Sequence, residues 1–147
     1  MNDELLLTCS QNIDWLSESD INAIIYDLQV QYADEPINII SSGPIGYVSK
    51  LEALSNFYGD DILKLAAVIC RSIIQGHPLQ DGNKRFGMAL VTNFLELNNI
   101  KLTVDDEEFI KAALKLAKDE VDLEALYQWI CNNVRVDLRH NQLTCQE

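Results

Sequence analysis

Nine consecutive residues, His77-Pro78-Leu79-Gln80-Asp81-Gly82-Asn83-Lys84-Arg85, bring an imidazole, a carboxylate, a glycine, a side-chain amide and two cations into one short stretch. Gly76, just before them, ends one strongly apolar segment, and a second begins at Phe86. A loop fixed at both ends by buried segments is a natural carrier of a site. His77 is the residue type that titrates near neutrality, so it can take a proton from an attacking hydroxyl. Asp81 is a hard oxygen ligand suited to Mg²⁺ that keeps several of its waters. Gly82 allows close approach of the backbone, and a helix starting just after it offers unpaired N–H groups and the positive end of its dipole to an anion. Asn83 can add side-chain donors, while Lys84 supplies a point charge and Arg85 a bidentate fork for phosphate. Together these groups describe transfer from a nucleotide to a hydroxyl. Each residue singly is also an ordinary turn or cap residue, but a plain interhelical turn needs no such set.

The elements that must position this loop are helical. Ser17 and the acids after it read as a helix start, followed at helical spacing by Ile21, Ile24, Ile25, Leu28 and Tyr32. Residues 33–46 carry Pro36, Ser41, Ser42, Gly43, Pro44 and Gly46 and are expected to form a long loop, with Ile37, Ile39 and Ile40 apolar enough to pair as a strand. Loops of that length are often functional, and this one is the candidate for a substrate-facing flap, although a disordered connector has the same composition. A second, shorter helix is expected over residues 47–57 and a third, capped by Asp60 and Asp61, up to Gly76. The third is apolar all round, as a central helix must be. A fourth runs to Leu97 and stops at Asn98-Asn99, Asn tolerating a left-handed cap. A short extended segment over 100–104 comes before a fifth helix, started by Asp105 and Glu108 at capping-box spacing and expected to reach Lys118. The sixth is expected over 123–134, with a fraying polar tail after it. Trp15 and Trp129 fall in helical patterns and read as core.

With 147 residues the chain fits one domain over 1–147, with a variable arm over about 1–14 and a tail over 135–147. No apolar run approaches the ~20 residues of a membrane span, and the acidic beginning Met1-Asn2-Asp3-Glu4 does not resemble a signal peptide, so a cytoplasmic protein with no membrane partner is expected. Cys9, Cys70, Cys131 and Cys145 lack metal-site spacing and read as reduced thiols. The formal net charge of −12 opposes direct nucleic-acid binding, which needs a basic face. A local basic pocket can still hold a nucleotide.

The nine-residue stretch resembles the signature of the Fic/Doc family, specifically its Doc (death-on-curing) branch. The likeness extends as helical pattern from near Leu16 to near Val134. It implies an all-α, Fic/Doc-type bundle of about six helices, with a short β flap. It further implies that His77 is the general base, Asp81 the Mg²⁺ ligand, and Gly82, Asn83, Lys84 and Arg85 the phosphate-binding nest. Leu79 stands where the family usually has Phe, as an apolar anchor of the loop. The implied cofactors are ATP and Mg²⁺.

Departures from the family pattern bear on which group is transferred. Adenylylating members typically have Gly where Lys84 stands and a second Arg where Met88 stands. On a helix, positions 85 and 88 share a face one turn apart, so one phosphate contact is lost. Lys84 with Met88 resembles the Doc branch, which transfers the γ-phosphoryl group of ATP. Gly82, where the best-known Doc motif has Ala, is closer to adenylylating members. The inhibitory pattern Ser/Thr-x-x-x-Glu-Gly/Asn is absent, since Thr92 and Glu96 are followed by Leu97, and Thr103 and Glu107 by Glu108. The resemblance therefore implies a toxin restrained by an antitoxin in trans, phosphorylating a Ser or Thr of a protein such as elongation factor EF-Tu and so inhibiting translation. Adenylylation of a hydroxyl is the nearest alternative, and a catalytically silent binding module the alternative of another class. The flap would meet the target through Ile37, Ile39, Ile40, Gly43 and Ile45, ordering it as an added strand.

Overall fold

The computed structural model describes residues 12–117 and 123–138. Six helices account for most of them: α1 (Glu18–Gln31), α2 (Gly43–Ser49), α3 (Ile62–Gly76), α4 (Asn83–Leu97), α5 (Asp106–Ala117) and α6 (Leu123–Cys131). Two three-residue strands, β1 (Ile100–Leu102) and β2 (Val134–Val136), pair antiparallel with Lys101 opposite Arg135. The fold is all-α with a small sheet, as expected. None of the helices among the described residues is long and apolar enough to cross a membrane.

The buried run Ile62-Leu63, Leu65 to Cys70 and Ile73-Ile74 makes α3 the axis, and α2, α4, α5 and α6 all pack on it. Its start is fixed by Asp61, whose carboxylate accepts from the N–H groups of Leu63 (3.0 Å) and Lys64 (3.4 Å). The Tyr127 hydroxyl donates to the same carboxylate, and Lys64 pairs with Glu124 at 2.9 Å, tying α6 to the head of α3. At the start of α1, Ser17 and Asp20 form a reciprocal capping box. The buried amide of Asn98 bonds Phe94 O at 2.8 Å, Asp14 O at 2.9 Å and the Asp14 N–H at 2.8 Å, holding the chain before α1 against the end of α4. Trp15 and Trp129 pack against the core, facing Phe94 and Phe109.

Two expectations need correction. The expected helix over 47–57 is instead α2, a 3₁₀ turn (Leu51–Leu54) and a single α turn (Ser55–Tyr58). The reason is Pro44, whose fixed φ suits a first helical turn, so Gly43 and Pro44 open a helix and the loop ends at Ser42. Second, α6 ends at Cys131, and Val134–Val136 forms a strand where the sequence suggested helix and fraying tail. The alternation of β-branched residues after the Asn132-Asn133 turn satisfies the free edge of β1. The two-stranded sheet is β1 with β2, and in the flap Ile39 makes one isolated antiparallel bridge to Leu79. Residues 1–11 of the expected arm, Lys118 and the residues after Leu138 lie outside the described residues. The expected cap of α5 is present, with the Glu108 N–H on Asp105 Oδ1 at 2.8 Å.

Candidate active site

The loop hangs between the C-terminus of α3 and the N-terminus of α4, the two most closely packed helices. His77 leaves α3 in the left-handed conformation, φ 46° and ψ 58°, with its N–H on Ile73 O at 3.1 Å. His77 is exposed there. Gly76 is in contact with Pro44: a Cβ at 76 would lie 2.5 Å from Pro44 Cγ. The start of α2 is thereby pressed against the residue next to His77. Leu79 is fully buried, occupying the anchor position that the resemblance implied.

Asn83 holds the loop closed across four residues. Its Oδ1 accepts the Leu79 N–H at 2.9 Å, and its Nδ2 donates to Leu79 O at 2.8 Å. Much of the amide read from sequence as a phosphate donor is thus engaged in bracing the loop. Gly82 has φ 84°, a region favouring glycine, and a Cβ there would come within 3.3 Å of Ile37. Asp81 is exposed, with Oδ1 accepting the Gly82 N–H at 2.8 Å. Beyond Gly82, α4 begins without a side-chain cap, so its first N–H groups stay free to meet an anion.

The two cations behave differently. Lys84 is exposed, whereas the Arg85 guanidinium lies over the Tyr32 ring at 3.8 Å and is paired with Glu35. The hydrogen bond that Arg85 donates to the Glu35 carboxylate raises the Arg85 pKa above its already high value. Tyr32 and Glu35 were legible from sequence only as the end of a helix and a loop residue; nothing in their spacing points to Arg85.

The flap residues divide between core and surface. Ile37 and Ile45 are buried, Ile39 and Ile40 are exposed, and exposed Gly43 begins α2. The flap is bonded to the 77–85 loop: Ile40 N–H and Ser41 N–H donate to Pro78 O at 2.8 and 3.1 Å, and Gln80 N–H donates to Asn38 O at 2.8 Å. In an antiparallel pairing the N–H and C=O of the residue between such bonds point to the opposite side. For Ile39 that side is away from the loop.

Two adjoining cavities open over the loop. One of about 420 Å³ lies among Glu35, Asp81, Gly82, Asn83, Lys84 and Arg85, with Ile110 and Leu114 of α5 as its apolar wall. The other, about 890 Å³, shares Ile74, His77, Lys84 and Leu114 with the first and reaches Lys111 and Lys115. Both sizes are of the order of small-molecule sites. The contribution of α5 was not read from sequence, although Lys111 and Lys115 at i, i+4 share one helical face.

The donor set fits a magnesium ion of the kind that relies on one carboxylate, waters and substrate phosphates. Asp81 is exposed at the cavity with one oxygen bound by Gly82, and no group of three or more metal-ligating side chains occurs among the described residues.

A model of the Fic/DOC family matches residues 15–95, which span α1 through most of α4 and include the whole loop. No curated protein and no solved structure matches the chain.

Proposed function

This chain belongs to the Fic/DOC family, and on that premise we propose that it is a transferase that moves the γ-phosphoryl group of ATP to a Ser or Thr hydroxyl of a protein. The observation that carries this reading is the loop itself. An exposed imidazole, an exposed carboxylate and a free helix N-terminus meet at one cavity, and Asn83 and Leu79 hold them in place. His77 accepts the proton of the target hydroxyl as its oxygen bonds to the γ-phosphorus. The bond from that phosphorus to the bridging oxygen breaks, leaving ADP, a phosphoester on the target and a proton on His77. The N–H groups opening α4, with Lys84 and Arg85, bind the phosphate oxygens as charge moves onto the leaving group. Asp81 would hold Mg²⁺, which when bound neutralises phosphate charge.

Phosphoryl rather than adenylyl transfer is supported at two positions. Lys84 is free to reach a phosphate, and Met88 packs against the core, so no cation stands one turn beyond Arg85. Gly82 favours the second reading, adenylyl transfer, because this left-handed position carries the glycine of adenylylating members. The outward-facing backbone of Ile39 suits a target segment that adds as a strand, with Ile39 and Ile40 meeting its side chains. The target is a protein such as EF-Tu, and restraint comes from an antitoxin in trans. Intact mass of purified EF-Tu after incubation with protein, ATP and Mg²⁺ tests this: one added phosphate supports it, one added AMP supports the second reading, and no change excludes this target.

A further inference from the structure

The loop explains the smaller cavity but not the larger one. Beyond His77 and Lys84, the larger cavity is bordered by Lys111 and Lys115, one turn apart on α5, with Leu114 between them. Lys84 borders both spaces, so the two form one cleft with cations along it: Arg85 at one end, Lys84 in the middle, Lys111 and Lys115 at the other. In a chain with 11 Lys and Arg against 23 Asp and Glu, four cations along one cleft are not a sample of the average surface. Clefts lined by one sign of charge concentrate ligands of the opposite sign. Among the described residues, the carboxylates bordering these two spaces are Asp81, beside the phosphates, and Glu35, which is paired with Arg85. Among the described residues the lining of the far end holds ammonium groups and no carboxylate, while Lys111 and Lys115 also border a neighbouring space with Glu108.

We propose that Lys111 and Lys115, with Lys84, form a second anion subsite, and that it takes the phosphate chain of the donor nucleotide beyond the phosphate seated at the loop. The proposal rests on the nucleotide-transfer reading above. A single phosphate needs only the N-terminus of α4, whereas a triphosphate is a chain of charges long enough to need a second cationic partner. Lys84 links the two ends, and lysine suits a phosphate chain as a movable point charge. An acidic segment of the target protein is the competing occupant. The nucleotide is favoured because the charge track is continuous with the catalytic loop through Lys84 and His77.

The test is calorimetric titration of ATP, AMP and inorganic tripolyphosphate, each with Mg²⁺, into wild type and Lys111→Gln/Lys115→Gln. Both lysines are exposed, so folding is unaffected, and a matched circular dichroism spectrum checks it. The double variant is expected to bind ATP and tripolyphosphate about tenfold more weakly, a loss of about 1.4 kcal/mol. Its AMP affinity stays at the wild-type value, and the ATP difference shrinks at high salt. Equal ATP binding by both proteins overturns the subsite and leaves the loop reading untouched. Lysine-dependent tripolyphosphate binding without binding of ATP overturns both the assignment to a nucleotide and the transfer reading, leaving only an anion site. Unchanged ATP binding with loss of an acidic peptide overturns the proposal in favour of the target segment.

Discussion

Replacing Asn83 by alanine separates a brace from a ligand donor. The Asn83 amide satisfies both the N–H and the C=O of Leu79, at 2.9 and 2.8 Å, and Leu79 is buried. Alanine leaves two buried backbone groups without partners, and each such group costs about 1–3 kcal/mol. Gln80 and Asp81 beside it are exposed, so water can reach part of the gap, which puts the total at about 2–4 kcal/mol. For a domain of this size each kcal/mol lowers Tm by about 2–4 °C, giving a fall of roughly 5–15 °C. Asn83→Asp keeps the acceptor for the Leu79 N–H and loses the donor to its C=O, so it retains part of the stability. Urea unfolding followed by circular dichroism measures both. If Asn83→Ala unfolds within about 0.5 kcal/mol of wild type, the brace contributes nothing and the argument for a preformed loop fails.

Further outcomes follow from other contacts. Gly76→Ala drives a methyl against the Pro44 ring, where overpacking costs about 1–3 kcal/mol, and Pro44→Ala in the same chain recovers part of the loss; urea midpoints of the two singles and the double decide it. Glu35→Gln removes the charge that holds Arg85, and tripolyphosphate binding is expected to tighten several-fold; weaker binding would mean that Glu35 serves to aim Arg85. Burial pushes the Cys70 thiol up to about 12, so iodoacetamide at pH 8 leaves Cys70 unmodified in the native protein and labels it after unfolding, as site-resolved mass spectrometry reads. The folded state favours the neutral thiol, so this contribution to stability is intact below the ordinary value of 9.0 and is lost as pH rises towards about 12.

The axis of the fold was legible because α3 is apolar on every side and can only be central, and its stop before Pro78 follows from proline geometry. The loop was legible because its residue types are rare together. Other features depend on contacts between distant segments, which no local pattern records. Ile37 and Ile45 read as flap residues because Gly, Ser and Pro surround them, yet packing against the core buries both. The pairing of Glu35 with Arg85 spans fifty positions, and the closure of β1 by β2 brings together segments separated by two helices. Gly43 and Pro44 illustrate the ambiguity of turn residues, since the same pair that ends a pattern also opens a helix. Asn83 read from sequence as a phosphate donor, and its bonds to the Leu79 backbone appear only once the turn is closed.

The most direct test of the account is transfer of label from ATP to protein in a bacterial lysate, with Mg²⁺, ATP labelled at the γ- or the α-phosphate, and a His77→Ala protein alongside. A protein band that acquires γ-label but not α-label, and acquires neither with His77→Ala, is the expected result. Label that persists with His77→Ala would contradict His77 as the base, and α-label alone would replace phosphoryl with adenylyl transfer.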